Sequence, residues 1–198
     1  MQGRFYDWWW KKYEEKTIQL VTQEIQRIYL EKPGKNVTLL DIGSGTSNLA
    51  QALTHLPIQI HAVEPDKHML SHAEKKDLSN TTHIHQSAET YQYPDTTYDV
   101  VVSCSAYHRY KDKQSFLHNA YNTLKQGGHL IILDWNNTGW FKPVHKTIQL
   151  FDPNHVEAEN TEQIKQRLRE TPLTLQKCNT YRTKTWKLQL ITATKTQT

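Results

Sequence analysis

The sequence is poor in cysteine and lacks any long apolar run, and both absences exclude classes of protein. Only Cys104 and Cys178 are cysteines among 198 residues, and they lie far apart. Such a pair provides neither a disulfide framework nor a cysteine-based metal site, so we expect two reduced thiols. No apolar run approaches the ~18 residues that a membrane-spanning helix needs. Residues 1–10 also lack the apolar core of a signal peptide, so we expect a cytoplasmic protein.

Dense basic tracts are absent too. Lysine and arginine (24) exceed aspartate and glutamate (20), but the basic residues are scattered along the chain. Nucleic-acid grooves usually show clustered positive charge, so we do not expect a nucleic-acid partner and favour a small-molecule one. Among the 11 histidines, His68/His72 and His83/His85 are spaced as neighbours. No cysteine or carboxylate completes either pair, so no metal site is expected.

What the sequence does contain is an alternation of short apolar runs with helical patterns. The runs at 37–42, 58–63, 81–85, 98–102 and 129–133 are typical of buried strands, and helices are predicted at 13–30, from 46 towards 55, and at 66–76, 112–124 and 163–170. Alternation of this kind predicts an α/β fold with a parallel sheet and right-handed crossovers. Near the end, 172–178 and 184–194 indicate two more strands, joined by a hairpin or short loop at 179–183. Residues 127–128 (GG) predict a break before the fifth strand. We expect one domain over 1–198, with 1–35 as a helical flap and 36–198 as the core.

A glycine-rich turn follows the first predicted strand directly, in the segment 39–47 (LLDIGSGTS). Side chains at Gly43 or Gly45 would block a close approach of the main chain to a ligand. Open α/β sheets bind ligands here, outside the carboxyl end of a strand. Thr46 or Ser47 is expected to cap the helix that follows.

Glu64 ends the second predicted strand, about 19 residues after Gly45, where a carboxylate can accept hydrogen bonds from both hydroxyls of a ribose. Two details argue against a dinucleotide. Asn48 stands where the G-x-G-x-x-G fingerprint requires glycine or alanine. Asp41, two residues before the first glycine, would repel a pyrophosphate but could meet the ammonium of an amino-acid moiety. A cationic S-adenosylmethionine therefore fits better than NAD.

At this point the sequence resembles the class I S-adenosylmethionine-dependent methyltransferases, in particular the small-molecule branch that includes quinone-biosynthesis enzymes. The matching motifs are 41–46 (DIGSGT), 63–66 (VEPD), 87–89 (SAE), 98–103 (YDVVVS) and 124–130 (LKQGGHL). The resemblance implies a Rossmann-like, seven-stranded, mostly parallel sheet. Its last strand would be antiparallel and inserted beside the fifth, with helices on both faces. One departure is Ser47, where the family usually has glycine.

The resemblance also implies which residues bind the cofactor. The methionine part is expected near Asp41, Gly43, Ser44 and Gly45, the ribose at Glu64, the adenine against Pro65, Met69, Ala88 and Glu89, and the sulfonium near Ser103. The implied products are a methylated acceptor and S-adenosylhomocysteine.

Candidates for catalysis follow the fourth strand, at 105–110 (SAYHRY). His108 has a side chain whose pKa normally lies near neutrality and is a candidate base, with Tyr107 beside it. The alternative is that His108 only shapes the loop. Residues 103–106 (SCSA) lack the Asn or Asp, two prolines and aromatic of the subfamilies that methylate nucleobase or amide nitrogens. Oxygen, sulfur, carbon and amine acceptors stay open.

Two aromatic segments are candidates for the acceptor pocket. They comprise Tyr6, Trp8, Trp9, Trp10 and Tyr13 near the start of the chain, and Trp135, Trp140, Phe141 and His145 after the fifth strand. The sequence thus predicts methyl transfer to a small organic acceptor. Two rival interpretations are a non-catalytic S-adenosylmethionine-binding protein and, less favoured by Asp41 and Asn48, a nicotinamide-dependent oxidoreductase.

Overall fold

Strands and helices alternate along most of the chain, as a computed structural model describes it at residues 2–31, 36–138, 158–183 and 187–196. The elements in chain order are α1 (Gln2–Leu30), β1 (Val37–Ile42), α2 (Asn48–Ala52), β2 (Ile58–Val63), α3 (Lys67–Glu74), β3 (Thr81–Ile84), β4 (Tyr98–Cys104), a 3-10 turn (Tyr107–Arg109), α4 (Lys113–Thr123), β5 (Leu124–Trp135), α5 (Thr161–Arg169), β6 (Thr174–Arg182) and β7 (Lys187–Thr194). No helix among the described residues is long and apolar enough to cross a membrane.

The seven strands form a single sheet in the order β3-β2-β1-β4-β5-β7-β6. Strands β1 to β5 pair in parallel, whereas β7 runs antiparallel to both β5 and β6. The predicted fold class is therefore confirmed, including the insertion of the last strand beside the fifth. This order brings the carboxyl ends of β3, β2, β1, β4 and β5 side by side along one edge of the sheet.

Both faces of the sheet are covered, which explains why the central strands are apolar throughout. On one face α1 packs against α2 and the sheet at β4 and β5, with Val21, Ile25 and Leu39 at or near complete burial. On the other face α4 and α5 bury Phe116 and Ile164 in a second cluster.

Helix α1 covers the first of these faces and is fastened to the far edge of the sheet. Its Glu24 is only 3% exposed. One Glu24 oxygen accepts a hydrogen bond from Lys177 Nζ on β6 at 2.6 Å, and the other pairs with Arg27 at 2.8 Å and with Thr192 Oγ1 on β7 at 3.3 Å. The helix is therefore held to the sheet by polar as well as apolar contacts.

The structure corrects the sequence prediction at three places. Strand β6 continues to Arg182, so most of 179–183 is strand and not a connecting loop. The pair Gly127–Gly128 lies within β5, where the pairing with β4 shifts register, and does not break the strand. Ser47 precedes α2 but its side chain makes no capping hydrogen bond.

Candidate active site

A cavity of about 880 Å³ opens at the carboxyl edge of the sheet. The turns after β1, β2, β3 and β4 form its floor and sides, and α1 contributes one wall through Tyr13, Glu14, Thr17 and Ile18. Cofactor pockets are commonly ~300–1,000 Å³, so this cleft lies toward the large end of that range.

The turn after β1 is held tightly against β2. The backbone N–H groups of Gly43 and Ser44 both donate to the Val63 carbonyl, at 2.8 and 3.1 Å. Gly43 has φ +76°, and a Cβ there would lie 2.4 Å from the Ala106 Cβ. Glycine is therefore needed at 43 for both conformation and packing.

Ser47 occupies the family's glycine position in a left-handed conformation, with φ 59°. This conformation is one that glycine adopts without strain, which accounts for the family preference. The Ser47 hydroxyl lies 3.1 Å from His83 Nε2 on β3. The departure is thus accommodated by a contact with the neighbouring strand.

Glu64 binds the glycine turn from the end of β2. Its Oε2 accepts from the Gly45 N–H at 2.8 Å, and its Oε1 accepts from the Asp66 N–H at 2.9 Å. Each carboxylate oxygen has a second lone pair, so these bonds leave capacity for two ligand hydroxyls. Glu64 lines the cleft, where the sequence predicted the ribose.

Asp41 and Ser44 present buried polar atoms at the same turn. Among the described residues, neither Asp41 Oδ1 nor Ser44 Oγ has a hydrogen-bond partner. Burial raises the pKa of the Asp41 carboxyl to about 7, and the Glu64 carboxylate adds to the rise. Buried polar atoms without partners are costly, so they indicate a place that a ligand group completes.

The side of the cleft predicted for adenine is formed by the turns after β2 and β3. Pro65, Met69, Ala88 and Glu89 all line it, and the Met69 side chain is 44% exposed. Glu89 Oε1 accepts from the Lys111 N–H at 3.0 Å and thereby links the turns after β3 and β4. These four predicted residues are brought together with Asp41, Gly43, Ser44, Gly45 and Glu64.

Ser103 lies elsewhere, fully buried inside β4 and not among the described residues that line the cleft. Tyr110 donates its phenolic hydrogen to the Ile42 carbonyl at 2.6 Å, so the Ser103 hydroxyl must donate to Tyr110 Oη, 2.9 Å away. These two hydrogen bonds connect β4 to the end of β1. Tyr110, which belongs to the segment 105–110 predicted to hold catalytic candidates, itself lines the cleft.

His108 and Tyr107, the predicted catalytic pair, also point away from the cleft lining. His108 is 3% exposed, and its Nδ1 lies 2.9 Å from Asp134 Oδ1 at the end of β5. Its backbone N–H donates to Asp134 Oδ2 at 2.6 Å, and its ring stacks on Trp135 at 4.7 Å. Tyr107 is 1% exposed and donates to Glu159 at 3.4 Å. The geometry of His108 matches the alternative in which it shapes the loop.

Helix α1 brings residues to the cleft that no motif indicated. The Asn48 amide donates to the Glu14 carboxylate, and Lys76 Nζ donates to the Asn48 side-chain oxygen. Tyr13 Oη lies 3.2 Å from Ser105 Oγ, across from α1 at the end of β4. Of these α1 residues, the sequence indicated only Tyr13 as a site residue, through the aromatic cluster near the start of the chain.

The remaining aromatic candidates fall largely outside the described residues. That applies to the side chains of Tyr6, Trp8, Trp9 and Trp10 and to Trp140, Phe141 and His145. Within the described part of the chain, no group of three or more histidine, cysteine or acidic residues is arranged to hold a metal ion. The rings of His68 and His72 pack edge to face on α3, with their centroids 4.6 Å apart.

Comparison with known proteins shows which family this sheet and turn resemble. Residues 40–132 match the model of the methyltransferase domain. Over these residues the chain is similar to a methyltransferase domain. The match runs from the second half of β1 to most of β5 and includes the glycine turn and Glu64, so the resemblance to class I methyltransferases is confirmed.

Relatives of the methyltransferase domain include bacterial enzymes. An uncharacterized methyltransferase of Bacillus subtilis is 26% identical over 125 residues, which cover 60% of this chain and 49% of the relative. The ubiquinone/menaquinone biosynthesis C-methyltransferase of Shewanella sediminis is 26% identical over 126 residues, covering 60% and 47%. The chain thus spans about half the length of the curated relatives it matches.

Solved structures share the fold at low sequence identity. The crystal structure of the Bacillus subtilis protein has a TM-score of 0.76 at 16% identity and covers 93% of this chain and all of the other. The magnesium protoporphyrin IX methyltransferase of Synechocystis, solved with bound S-adenosylhomocysteine, has a TM-score of 0.74 at 14% identity, covering 92% and 83%.

Proposed function

We propose that this protein transfers a methyl group from S-adenosylmethionine to a small organic acceptor. The observation that carries the proposal is the pair of buried atoms, Asp41 Oδ1 and Ser44 Oγ, for which the described residues provide no hydrogen-bond partner at the glycine turn. A ligand with an amino-acid end can supply hydrogen bonds to both, because its ammonium donates and its carboxylate accepts. The methyltransferase domain match and the fold support the same ligand.

The charge of the cleft also suits a cation. Its described lining contains more acidic residues (Glu14, Asp41, Glu64, Asp66 and Glu89) than basic ones (Arg109 and Lys111). S-Adenosylmethionine, when bound, supplies a methyl group on a positively charged sulfur. A pyrophosphate ligand would meet Asp41 and Glu64 at the glycine turn and be repelled, which argues against a nicotinamide-dependent oxidoreductase.

The chain's own residues would contribute binding, orientation and exclusion of water. Glu64 would hold the ribose while it keeps the turn in place, and Pro65, Met69 and Ala88 would contact the adenine with Glu89 at its edge. Asp41 would be held ionised by a ligand ammonium. Helix α1, which forms one wall of the cleft, would help to keep water from the reacting atoms. Alignment of an activated methyl group with its acceptor accounts for much of the rate that such an enzyme needs.

Calorimetric titration with S-adenosylmethionine, S-adenosylhomocysteine and NADH tests the proposal. We expect micromolar affinity for both adenosyl ligands and none for NADH. Binding of NADH alone would make the protein an oxidoreductase. Binding of both adenosyl ligands, with no methyl transfer to any acceptor, would favour a non-catalytic binding protein.

The variant Glu64→Gln tests the ribose site. It keeps the side-chain shape but loses an acceptor, so we expect S-adenosylhomocysteine affinity to fall about 10- to 100-fold, or ~1–3 kcal/mol. The matched control is Glu170→Gln at the exposed end of α5, which should bind normally. Unchanged affinity in a folded Glu64→Gln protein would remove Glu64 from the ribose site.

A further inference from the structure

The order of the strands indicates where the acceptor lies, given the proposed cofactor. The proposed adenine contacts follow β2 and β3, Glu64 follows β2, and Asp41 lies at the end of β1, so the proposed cofactor residues occupy three neighbouring strand ends. The next strand end in the same cleft is that of β4, where Cys104, Ser105 and Ala106 face Tyr13 and Thr17 of α1. This β4 end is the part of the cleft that the proposed cofactor contacts leave for a second ligand.

Two hydroxyl groups face each other in that part of the cleft. Ser105 Oγ and Tyr13 Oη lie 3.2 Å apart, and one belongs to the sheet while the other belongs to α1. Together they can both donate and accept hydrogen bonds. The neighbouring Cys104 thiol is a weaker partner, and burial raises its pKa, so it stays protonated.

Ser105 is held in a conformation that serine seldom adopts. Its φ is +57°, in the left-handed region that favours glycine. Its backbone N–H donates to the Leu133 carbonyl of β5 at 2.8 Å, which fixes the residue at the strand end. Strained residues of this kind are concentrated at functional sites, where the surroundings hold them in place.

Tyr13 is held in place by contacts that lead from its ring to Asp134 at the end of β5. Its ring packs edge-on against Trp135 at 6.1 Å, Trp135 stacks on His108, and His108 is bonded to Asp134. Burial raises the pKa of the Tyr13 phenol well above its usual value, and the nearby Asp134 adds to this. Tyr13 therefore remains a neutral phenol that can position a polar group but cannot act as a base at neutral pH.

We propose that Tyr13 and Ser105 form the acceptor-binding pair, and that they select an acceptor whose reacting atom is a neutral oxygen or nitrogen carrying hydrogen. The inference rests on the proposed function. In the reaction the acceptor heteroatom forms a bond to the methyl carbon as the carbon–sulfur bond breaks. The bonding electrons go to sulfur, and the acceptor proton leaves to water. The pair orients the heteroatom by hydrogen bonding, which a thioether or carbon nucleophile could not exploit.

The test uses the full chain, labelled S-adenosylmethionine, and named probes. Tyramine, catechol and ethanolamine present O–H or N–H groups, and 2-mercaptoethanol presents a thiol. We expect transfer to at least one of the first three and little to the thiol. If the wild type does not bind S-adenosylhomocysteine, the proposed function itself is overturned. With that binding intact, transfer to the thiol alone, or to no probe, would overturn the assigned acceptor class.

Variants then test the pair itself. Tyr13→Phe and Ser105→Gly should each lower kcat/KM for the methylated probe about 10- to 100-fold and change S-adenosylhomocysteine affinity less than twofold. Ser105→Gly also relieves the positive φ, so it should be at least as stable as the wild type, which separates loss of activity from loss of folding.

Matched controls are Tyr29→Phe on the same helix and Ser71→Ala on the exposed face of α3, and neither should alter turnover. The double variant Tyr13→Phe, Ser105→Gly should lose less than the product of the two single losses, because the hydroxyls act together. Full turnover in both single variants would overturn the proposal.

Discussion

At the scale of the residue, two glycines that both have a positive φ differ in the atoms that surround them. Gly43 and Gly127 have φ of +76° and +70°. A Cβ at Gly43 would lie 2.4 Å from Ala106, whereas a Cβ at Gly127 would meet nothing within 4 Å. Sequence alone shows two glycines in turns and does not distinguish them.

Replacing each glycine by alanine should separate conformational cost from packing cost. Gly127→Ala should cost about 1 kcal/mol, the price of a left-handed alanine. Gly43→Ala should cost more, about 2–4 kcal/mol, because Ala106 must also move. Urea unfolding measures both, and equal losses would show that Ala106 yields without cost.

Asp41 offers a prediction about pH. Its carboxyl has a pKa of about 7 in the folded protein because of burial and the adjacent Glu64, and a lower, ordinary value when unfolded. The unfolded chain therefore releases this proton first as pH rises, and the folded state loses stability up to about pH 7. Asp41→Asn should gain ~2–3 kcal/mol relative to the wild type between pH 5 and pH 8.

Urea unfolding at the two pH values provides the measurement. Asp95→Asn in an exposed turn is the control, and its difference from the wild type should be the same at both pH values. A pH-independent difference for Asp41→Asn as well would contradict the raised pKa. The variant should also bind S-adenosylhomocysteine more weakly at pH 8, since it cannot pair with an ammonium.

At the scale of the element, Asp99 joins the starts of three strands. It accepts hydrogen bonds from the Thr38 N–H and hydroxyl of β1, both at 3.0 Å, and from Lys125 Nζ of β5 at 2.8 Å. Burial alone would raise the pKa of Asp99, but the bonds from Lys125 and Thr38 outweigh it and lower the pKa to about 2. The contact sets the register at the edge of the sheet opposite the cleft.

Asp99→Ala should therefore destabilise the protein by about 2–3 kcal/mol, because the part-buried N–H and hydroxyl of Thr38 lose this acceptor. Lys125→Ala should cost less, roughly 0–1 kcal/mol, since that side chain is 37% exposed. Urea unfolding distinguishes the two. An equal cost would mean that the ion pair, and not the bonds to Thr38, stabilises this corner.

At the scale of the whole molecule, α1 connects the cleft to the far edge of the sheet. The helix lines the cleft at Tyr13 and Glu14, and one of its later turns is held by Glu24 to Lys177 and Thr192. Glu24 is buried while Lys177 is 36% exposed, so the interaction combines a buried acceptor with a partly solvated donor. Removing the contacts of Glu24 should therefore also weaken ligand binding in the cleft.

Glu24→Ala should destabilise the protein by about 1–3 kcal/mol and weaken S-adenosylhomocysteine binding. Glu31→Ala, at the exposed end of the same helix, removes a pair with Arg27 and should cost less than ~0.5 kcal/mol. Thermal unfolding and calorimetry provide the measurements. Full cofactor affinity in a destabilised Glu24→Ala protein would show that the cleft does not depend on how α1 is held.

Much of the cofactor side of the site could be predicted from sequence, and the acceptor side could not. Nine of the ten residues expected to contact the cofactor line the cleft, because they lie at the carboxyl ends of β1, β2 and β3 or in the segments that follow them. The tenth is Ser103, which lies inside β4. Its side chain bonds to Tyr110 and does not line the cleft. His108 turned inward because Asp134, 26 residues later, accepts its hydrogen bonds.

The sequence by itself determined the α/β class, the antiparallel last strand, the glycine turn and the acid that supports it. The antiparallel last strand came from the family resemblance, whereas the other features depend on apolar periodicity and on residues close together in the chain, where local conformation follows from local sequence. Only the tertiary structure decided that Tyr13 of α1 meets Ser105 of β4, 92 residues away, and that His108 faces Asp134. Such contacts depend on how helices pack across a sheet, and local patterns do not encode the distance between elements that are remote in the chain.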